Sequence, residues 1–238
     1  KARFENDERF NDLGICIKPV VWLAPKELPC RLENNRKHCN LAALVALKFV
    51  PNYTHLVFFL DEGKAYVENG AMFLDKADTY SVFVHELAHF AGFIDEYAVS
   101  KALANQYCFT NNRAPNLLVS RKEDIKENKK LLKWRGFDSS IQKNKLTNPA
   151  GQDEKPKNAA LALASSRTCA SLGLQSYKPS TELTFLEYHD TNNIPPIYLL
   201  MWKDALRAQH HDRAVSVLFR LNAQRADLLD ASEYWSRF

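Results

Sequence analysis

The chain has 238 residues, of which 46% are hydrophobic and 25% are charged, and its formal net charge is +4. This profile is typical of a soluble globular protein, and it excludes disordered, collagen-like and small disulfide-only proteins. No apolar run approaches the roughly 20 residues that a membrane helix needs, so we expect no membrane span.

The excess positive charge lies in one segment, residues 121–157, which contain 11 Lys or Arg and 6 Asp or Glu. The remainder of the chain is close to neutral. Because the segment has few aromatic residues and no recognised nucleic-acid-binding signature, we expect a solvated surface helix and loop and no nucleic-acid partner. A polyanion-binding patch is the alternative, and it would show salt-dependent binding.

The first part of the chain alternates strand and helix patterns, which predicts a mixed α/β lobe. Asn69-Gly70 is typical of a turn or a bulge within this part. The predicted elements are a strand over residues 13–24 interrupted by Pro19, a helix over 40–50, a strand over Thr54–Leu60 and a second strand over Lys64–Leu74.

The next predicted element is a helix with marked ends. Asp78 or Thr79 can cap its start, and Gly92 can end it. Beyond residue 98 the strand pattern is lost, and the chain becomes loop-rich and then basic. Further helices are predicted over residues 159–174, from Pro195 onward and around Val215–Leu221.

These patterns together predict the α+β class. We expect one domain in two lobes. The upper lobe, residues 1–98, is mixed α/β and ends with the capped helix. The lower lobe, residues 99–238, is mostly helical or irregular and includes the basic segment.

Five cysteines are present, and none forms a C-x-x-C pair, so a cysteine zinc site is not expected. Cys30 and Cys39 flank a short polar stretch that a disulfide could close. Cys108 and Cys169 flank the basic segment and could form a second disulfide, which would leave Cys16 free. Five reduced thiols are the alternative.

Two features favour an exported protein. The chain begins at Lys1 without an initiator methionine, as in a processed chain whose signal or pro-segment has been removed. Disulfides would also imply an oxidising compartment. We therefore expect a secreted or periplasmic location.

The most informative motif is His85-Glu86-Leu87-Ala88-His89, which lies inside the predicted helix. Two histidines four residues apart share one helix face, so both imidazoles can bind one Zn²⁺. Glu86 lies beside them, where it can take a proton from the water that the metal activates. The motif predicts a catalytic metal site.

A catalytic zinc site needs a third protein ligand, and Asp95 is the best candidate. Gly92 can turn the chain sharply because glycine tolerates positive φ, and Asp95 can then return to the metal. A glutamate from a second helix fails as an alternative because residues 97–122 contain no acidic residue. The weaker candidates are Glu96, which is better explained as a salt-bridge partner, the distant His189, and His210-His211, for which we expect solvent exposure.

Residues 85–97 follow the metzincin pattern H-E-x-x-H-x-x-G-x-x-H/D, with aspartate in the third position. Snapalysin-like peptidases share this Asp form, and the continuation Asp95-Glu96-Tyr97 resembles the IgA-peptidase-like bacterial metallopeptidases. The resemblance implies a zinc endopeptidase of the zincin type. It implies His85, His89 and Asp95 as Zn²⁺ ligands and Glu86 as the acid and base.

Two further features of metzincins have candidate counterparts in this chain. Metzincins have a methionine turn beneath the metal, and Met201 is the one downstream methionine, in a segment with a helical pattern. Core packing is its alternative role. A tyrosine that assists the oxyanion in relatives could correspond to Tyr188 or to Tyr198.

The resulting functional prediction is peptide-bond hydrolysis by a monomer, with a protein or peptide substrate lying along an edge strand within Lys64–Leu74. One alternative is a binding module that holds zinc without peptidase activity. Another is a zinc hydrolase that acts on a non-peptide amide.

Overall fold

The computed structural model of the chain describes residues 1–41, 44, 54–68, 70–120, 129–146 and 161–210. Helices and short sheets are mixed along these residues, which agrees with the predicted α+β class. The chain divides into two compact units, one of Lys1–Ile15 with Ala91–Leu206 and the other of Cys16–Phe90 with Arg207–Phe238. The predicted division into lobes at residue 98 stays a prediction.

The unit that contains Cys16–Phe90 begins with a disulfide-closed hairpin. Strand β1 (Cys30–Glu33) pairs antiparallel with β2 (Arg36–Cys39), and Cys30 lies opposite Cys39. Their disulfide confirms the predicted pairing. The two turn residues between the strands are asparagines with φ of 49° and 60°, the conformation that a tight hairpin turn requires.

A three-stranded sheet follows in the same unit. Its strands are β3 (Leu56–Leu60), β4 (Tyr66–Glu68) and β5 (Ala71–Asp75), with β5 in the centre, parallel to β3 and antiparallel to β4. The predicted strand over Thr54–Leu60 is confirmed. The predicted strand over Lys64–Leu74 is instead a hairpin, because Gly70 adopts a φ of 77° and reverses the chain.

Helix α2 (Tyr80–Phe90) completes the unit and lies against β4 and β5. Its start matches the prediction, since the Thr79 hydroxyl accepts a hydrogen bond from the main-chain N–H of Val82 over 3.4 Å. Leu87 and Phe90 are buried. The helix therefore presents one apolar face to the sheet and keeps its histidines on another.

Two further elements were predicted before β3, a strand over residues 13–24 and a helix over residues 40–50. The strand expected over residues 13–24 is wrong: a short 3₁₀ helix ends at Leu13, and the following residues form neither strand nor helix. Pro19 has no main-chain N–H to donate to a neighbouring strand. Val20, Val21 and Trp22 are exposed, and this apolar run joins none of the sheets among the described residues. The helix predicted over 40–50 lies almost entirely outside the described residues.

The other unit contains a sheet that the sequence did not indicate. Its strands are β6 (Leu118–Val119), β7 (Ala164–Ser166) and β8 (Ser176–Lys178), in the antiparallel order β6-β8-β7. The lower lobe that was predicted to be mostly helical or irregular thus also contains a small sheet. Strands of two or three residues are too short to give a periodic pattern.

The helices of this unit are α1 (Ala2–Glu5), α3 (Lys101–Tyr107), α4 (Lys129–Leu146) and α5 (Pro196–His210). The helix predicted from Pro195 onward is confirmed. The one predicted over residues 159–174 is wrong, because its described part holds β7 and a 3₁₀ turn over Ala170–Leu172. The helix around Val215–Leu221 lies outside the described residues.

The core of this unit has an aliphatic part and an aromatic part. The Cys108–Cys169 disulfide lies in the aliphatic part with Ile94, Leu117 and Val119, and it confirms the second predicted pairing. Cys16 is the free cysteine, as expected. The aromatic part is built from Phe10, Phe93, Phe185, Tyr198 and Trp202.

Part of the basic segment forms α4, whose residues Lys129, Lys133 and Arg135 are exposed while Leu131 and Trp134 are buried. The predicted surface helix is thus confirmed for α4. Residues 121–128 and 147–157 of the basic segment lie outside the described residues. Within the described ranges, every helix is too short or too polar to cross the hydrocarbon core of a membrane.

Candidate metal centre

The imidazoles of His85 and His89 converge on one side of α2. Their Nε2 atoms lie 3.3 Å apart, and the ring planes are nearly perpendicular at 86°. The four-residue spacing places both side chains one helical turn apart on the same face. His85 is buried and His89 is half-buried, so the pair is largely shielded from solvent.

The separation of the two nitrogens tests whether a metal ion fits between them. Two nitrogens bound to one tetrahedral Zn²⁺ at about 2.0–2.1 Å from it lie about 3.3 Å from each other. The 3.3 Å between His85 Nε2 and His89 Nε2 matches this value. The two Nε2 atoms therefore have the separation that a shared ion requires.

Asp95 completes the group, as the sequence predicted. Its carboxylate oxygen and one nitrogen from each histidine all lie within 4.8 Å of one another, and Asp95 is buried. The chain reaches this position through Gly92, whose φ of 83° is strained for any residue with a side chain. The His85-His89-Asp95 group can hold a metal ion, and two imidazoles with one carboxylate form a ligand set that zinc accepts.

Glu86 is buried within α2, with 7% of its surface exposed. Among the described residues, the group whose ligand atoms converge consists of the two histidines and Asp95, and Glu86 does not belong to it. Its position next to His85 places it beside the candidate metal site. The role of Glu86 as the acid and base stays a prediction.

The main chain around Asp95 is held on both sides by distant residues. The Asn116 side chain accepts from the N–H of Ile94 over 3.0 Å and donates to its carbonyl over 2.8 Å. Thr168 donates its hydroxyl to the carbonyl of Asp95 over 2.7 Å. Glu96 donates its N–H to Leu186 and accepts from Arg167 at its carbonyl.

Glu96 is more deeply buried than the ligands, with 1% of its surface exposed. Tyr198 and Asn116 donate to its Oε1 over 2.6 and 2.9 Å, and Thr184 donates to its Oε2. The ammonium of Lys178 lies 3.6 Å from Oε2. The expectation that Glu96 is a salt-bridge partner is correct but incomplete, because three uncharged donors also bind it.

Burial shapes the pKa values in this cluster. It raises the pKa of Glu96, while hydrogen bonds from Thr184, Tyr198 and Asn116 and the charge of Lys178 act in the opposite direction. Burial and the neighbouring carboxylate raise the pKa of Tyr198 well above its usual value. The Tyr198 hydroxyl therefore stays protonated and acts as a donor to Glu96.

Helix α4 supports the loop that carries Asn116. The buried amine of Lys130 donates to Asn112 O, Asn112 Oδ1, Ala114 O and Leu117 O over 2.7–2.9 Å. The Trp134 indole donates to Pro115 O over 2.8 Å. No pattern in the sequence pointed to Lys130 or Asn116, since their roles arise from contacts between distant segments.

The weaker sequence candidates lie apart from the metal group. His189 starts a 3₁₀ turn, and its Nδ1 lies 2.8 Å from Asp190. His210 ends α5, and His211 is outside the described residues. The methionine turn at Met201 is wrong, because Met201 is buried within α5 and serves the core. The helical spacing of its apolar neighbours had already favoured this alternative.

The two tyrosine candidates are separated by burial. Tyr198 is fully buried and bound to Glu96, so it cannot reach a substrate. Tyr188 is 52% exposed and follows a tight turn in which its N–H donates to Thr184 O over 2.9 Å. The same turn contains the fully buried Leu186, whose carbonyl accepts from Glu96 N–H. Of the two, only Tyr188 has an accessible side chain.

Comparison of the chain with protein-family models, with curated proteins and with solved structures found no match. The functional argument therefore depends on the residues themselves. What they define is a buried His-His-Asp group able to bind a metal ion, beside a buried glutamate, in a protein with two disulfides.

Proposed function

We propose that this protein is a zinc-dependent endopeptidase. The observation that carries the proposal is the convergence of His85, His89 and Asp95 on one small volume, with Glu86 buried beside it. Three protein ligands leave a tetrahedral ion one open position, which is the arrangement of catalytic rather than structural zinc sites. The metzincin-like motif of the sequence supports the same choice.

Each residue then has a role in peptide hydrolysis. His85, His89 and Asp95 would hold a Zn²⁺ ion, which would supply the Lewis acidity needed to polarise the scissile carbonyl and to lower the pKa of the attacking water. Glu86 accepts the proton of that water and passes it to the leaving amine nitrogen. Burial of His85 and Asp95 excludes bulk water from the ligands, which strengthens their electrostatic hold on a cation.

The substrate is proposed to bind as an extended peptide along β4. This strand lies at an edge of its sheet, paired on one side with β5, so its other side offers main-chain groups to a new strand. Addition of a strand gives affinity through main-chain hydrogen bonds and little sequence selectivity. The proposal therefore favours protein or peptide substrates over small amides.

Tyr188 is the proposed donor to the developing oxyanion. Its exposed side chain and its location two residues beyond Leu186, which contacts the main chain of Glu96, favour it over Tyr198. In this proposal the turn that ends at Tyr188 takes the place of the methionine turn of metzincins. The buried Leu186 then takes the place of the methionine. We also propose an extracellular or periplasmic site of action, since two disulfides favour an oxidising compartment.

The test is Glu86→Gln, assayed with a quenched peptide library and with metal analysis. We expect one bound Zn²⁺ per chain in both forms and a loss of peptidase activity in Glu86→Gln, because glutamine cannot accept the proton. Glu33→Gln, at an exposed residue of β1, is the matched control and should keep full activity.

Three outcomes would contradict parts of the proposal. Full activity of Glu86→Gln would overturn the role of Glu86. Zinc binding by the wild type without cleavage of any peptide, with or without a chelator, would favour a zinc-binding module. Cleavage of a non-peptide amide alone would point to a different hydrolase.

A further inference from the structure

Glu96 is buried next to the third metal ligand, yet its carboxylate is directed at the protein interior and not at the metal group. Its four partners, Asn116, Thr184, Tyr198 and Lys178, come from segments that lie far apart in the sequence. Burying a charged or titratable carboxylate is costly unless its oxygens are satisfied. An apolar residue would fill the same space without this cost, so stability alone does not account for a glutamate at this position.

The connection to the metal group runs through Asn116. Its amide nitrogen donates both to Glu96 Oε1 over 2.9 Å and to Ile94 O over 2.8 Å, and its oxygen accepts from Ile94 N–H over 3.0 Å. Glu96 therefore adds a third hydrogen bond, which holds the Asn116 amide in the rotation that its two bonds to Ile94 require. The oriented amide in turn fixes the main chain immediately before Asp95.

The same carboxylate ties the loop to α5 and to the turn before Tyr188. Tyr198 donates from α5 over 2.6 Å, and Thr184 donates from the turn. On the main chain, Glu96 N–H binds Leu186 O over 2.9 Å. Side-chain and main-chain hydrogen bonds from several distant segments therefore restrain the conformation of residues 94–96.

We infer that Glu96 is a positioning residue for the metal site: through Asn116, Tyr198 and Thr184 it holds Asp95 where its carboxylate meets His85 and His89. The inference rests on the proposed function only in taking Asp95 as a ligand. Partners that orient a metal ligand from outside the ligand set commonly change metal affinity 10- to 100-fold when they are altered.

The experiment measures Zn²⁺ affinity of the full chain by competition with a chromophoric chelator, and the visible absorption of the Co²⁺-substituted protein. Glu96→Gln keeps the size of the side chain but replaces one acceptor oxygen by a donor that faces Thr184 or Asn116. We expect Zn²⁺ affinity to fall about 10- to 100-fold and the Co²⁺ bands to shift or weaken, because the ligand geometry changes. Tyr198→Phe removes one donor to the same carboxylate and should change both readouts in the same direction by a smaller factor.

The control separates positioning from general stability. Phe4→Leu changes a buried ring that stacks on Phe10, at 5.1 Å between ring centroids, and makes none of the hydrogen bonds to Glu96. It should lower the melting temperature while Zn²⁺ affinity and the Co²⁺ spectrum of the folded protein stay unchanged. Circular dichroism verifies that each variant is folded before titration.

The outcomes distinguish this inference from the proposed function. If both Glu96→Gln and Tyr198→Phe are folded and bind Zn²⁺ and Co²⁺ as the wild type does, Glu96 has a structural role only and the inference is overturned, while the proposed function stands. If the variants lose affinity but the wild type cleaves no peptide, the inference stands and the endopeptidase proposal fails. A wild type that binds no Zn²⁺ overturns both.

Discussion

The hydroxyl of Thr168 donates a hydrogen bond to the main-chain carbonyl of Asp95 over 2.7 Å, although 73 residues separate the two in sequence. Thr168 is fully buried, and the next residue, Cys169, forms the disulfide with Cys108. The third residue of the candidate metal group is thus held by a segment that a covalent cross-link fixes in place. Metal binding and the core of this unit are therefore expected to depend on each other.

Thr168→Val should weaken metal binding without unfolding the protein. Valine has the same shape, but it leaves the carbonyl of Asp95 without its buried donor. We expect Zn²⁺ affinity to fall by about tenfold or more, as is usual for partners that orient a ligand. Chelator competition measures it, and Thr110→Val, at an exposed residue, is the control. Equal affinities in the two variants would contradict the prediction.

Removal of the two disulfides should have unequal effects. The chain-entropy relation predicts a loss of about 4 kcal/mol of stability for a loop of the length closed by Cys108–Cys169, and about 3 kcal/mol for the Cys30–Cys39 loop. We also expect weaker Zn²⁺ binding only in the Cys108→Ala/Cys169→Ala double variant, since Cys169 adjoins Thr168. Denaturant unfolding and zinc titration of both double variants test this. A loss of zinc affinity in the Cys30→Ala/Cys39→Ala variant alone would refute it.

Each metal ligand should be required for stoichiometric zinc. His85→Ala and His89→Ala should each reduce bound zinc from one ion per chain to well below one, because two remaining ligands hold the ion weakly. Asp95→Ala should have the same effect in the same assay, elemental analysis after dialysis against a weak chelator. His38→Ala, at a half-buried histidine of β2, should leave one ion bound.

The two tyrosines should give opposite signatures. Tyr188→Phe should lower kcat about 100-fold, the size expected for loss of one oxyanion donor, with zinc content and stability unchanged. Tyr198→Phe should instead lower the free energy of unfolding by about 2 kcal/mol, because it removes a hydrogen bond to a buried carboxyl. Steady-state kinetics and denaturant unfolding measure the two effects. A Tyr188→Phe enzyme with normal kcat would remove Tyr188 from the mechanism.

Lys130→Met should destabilise the unit that contains α4. It leaves four buried or half-buried oxygens without the ammonium that they share, at a cost of about 3 kcal/mol or more. Lys133→Met is the matched control on the same helix, because Lys133 makes an exposed ion pair with Asp204 that is worth less than about 1 kcal/mol. Comparable losses in the two variants would contradict the structural role of Lys130.

The stability difference between wild type and Lys130→Met should also depend on pH. Burial lowers the pKa of Lys130 from 10.5 to about 8, and the charge of Lys133 adds to this effect. Between pH 8 and 10.5 the unfolded chain therefore binds more protons at this residue than the folded chain. When the unfolded chain binds more protons, the free energy of unfolding rises with pH. The free energy of unfolding of the wild type should therefore increase relative to that of Lys130→Met between pH 8 and 10.5. Below pH 8 the difference between the two proteins should be constant. Denaturant titrations at pH 7, 8.5 and 10 measure it.

Several elements could be predicted because their signal is local. The helix over Tyr80–Phe90 has a cap and a glycine stop, and Leu56–Leu60 is a continuous run of apolar residues. The metal group shares this property, since His85, His89 and Asp95 fall within eleven residues. A helical turn and one glycine bring them together, so no long-range contact had to be foreseen.

Other predictions failed because neighbours decide the outcome. The apolar residues 13–24 resemble a strand, but none of the strands in the described part of the chain pairs with them, and Trp22 is exposed. Strand β7 has the sequence Ala-Ser-Ser, which has no preference for a sheet until β8 pairs with it. For Met201 the sequence left a methionine turn and core packing open, and the structure buries it within α5.

The sequence alone predicted the α+β class, both disulfide pairs, the capped helix and the His85-His89-Asp95 group that could hold a metal ion. Residue type marks the cysteines, and short-range spacing marks the helix and the metal group. Tertiary structure decided which of the two tyrosines is exposed and how Asp95 is held. Those outcomes depend on Asn116, Thr168, Thr184 and Tyr198, which approach residues 94–96 from segments 20 to 102 residues away. Contacts over such separations arise only when the chain buries its apolar core, and no local pattern encodes them.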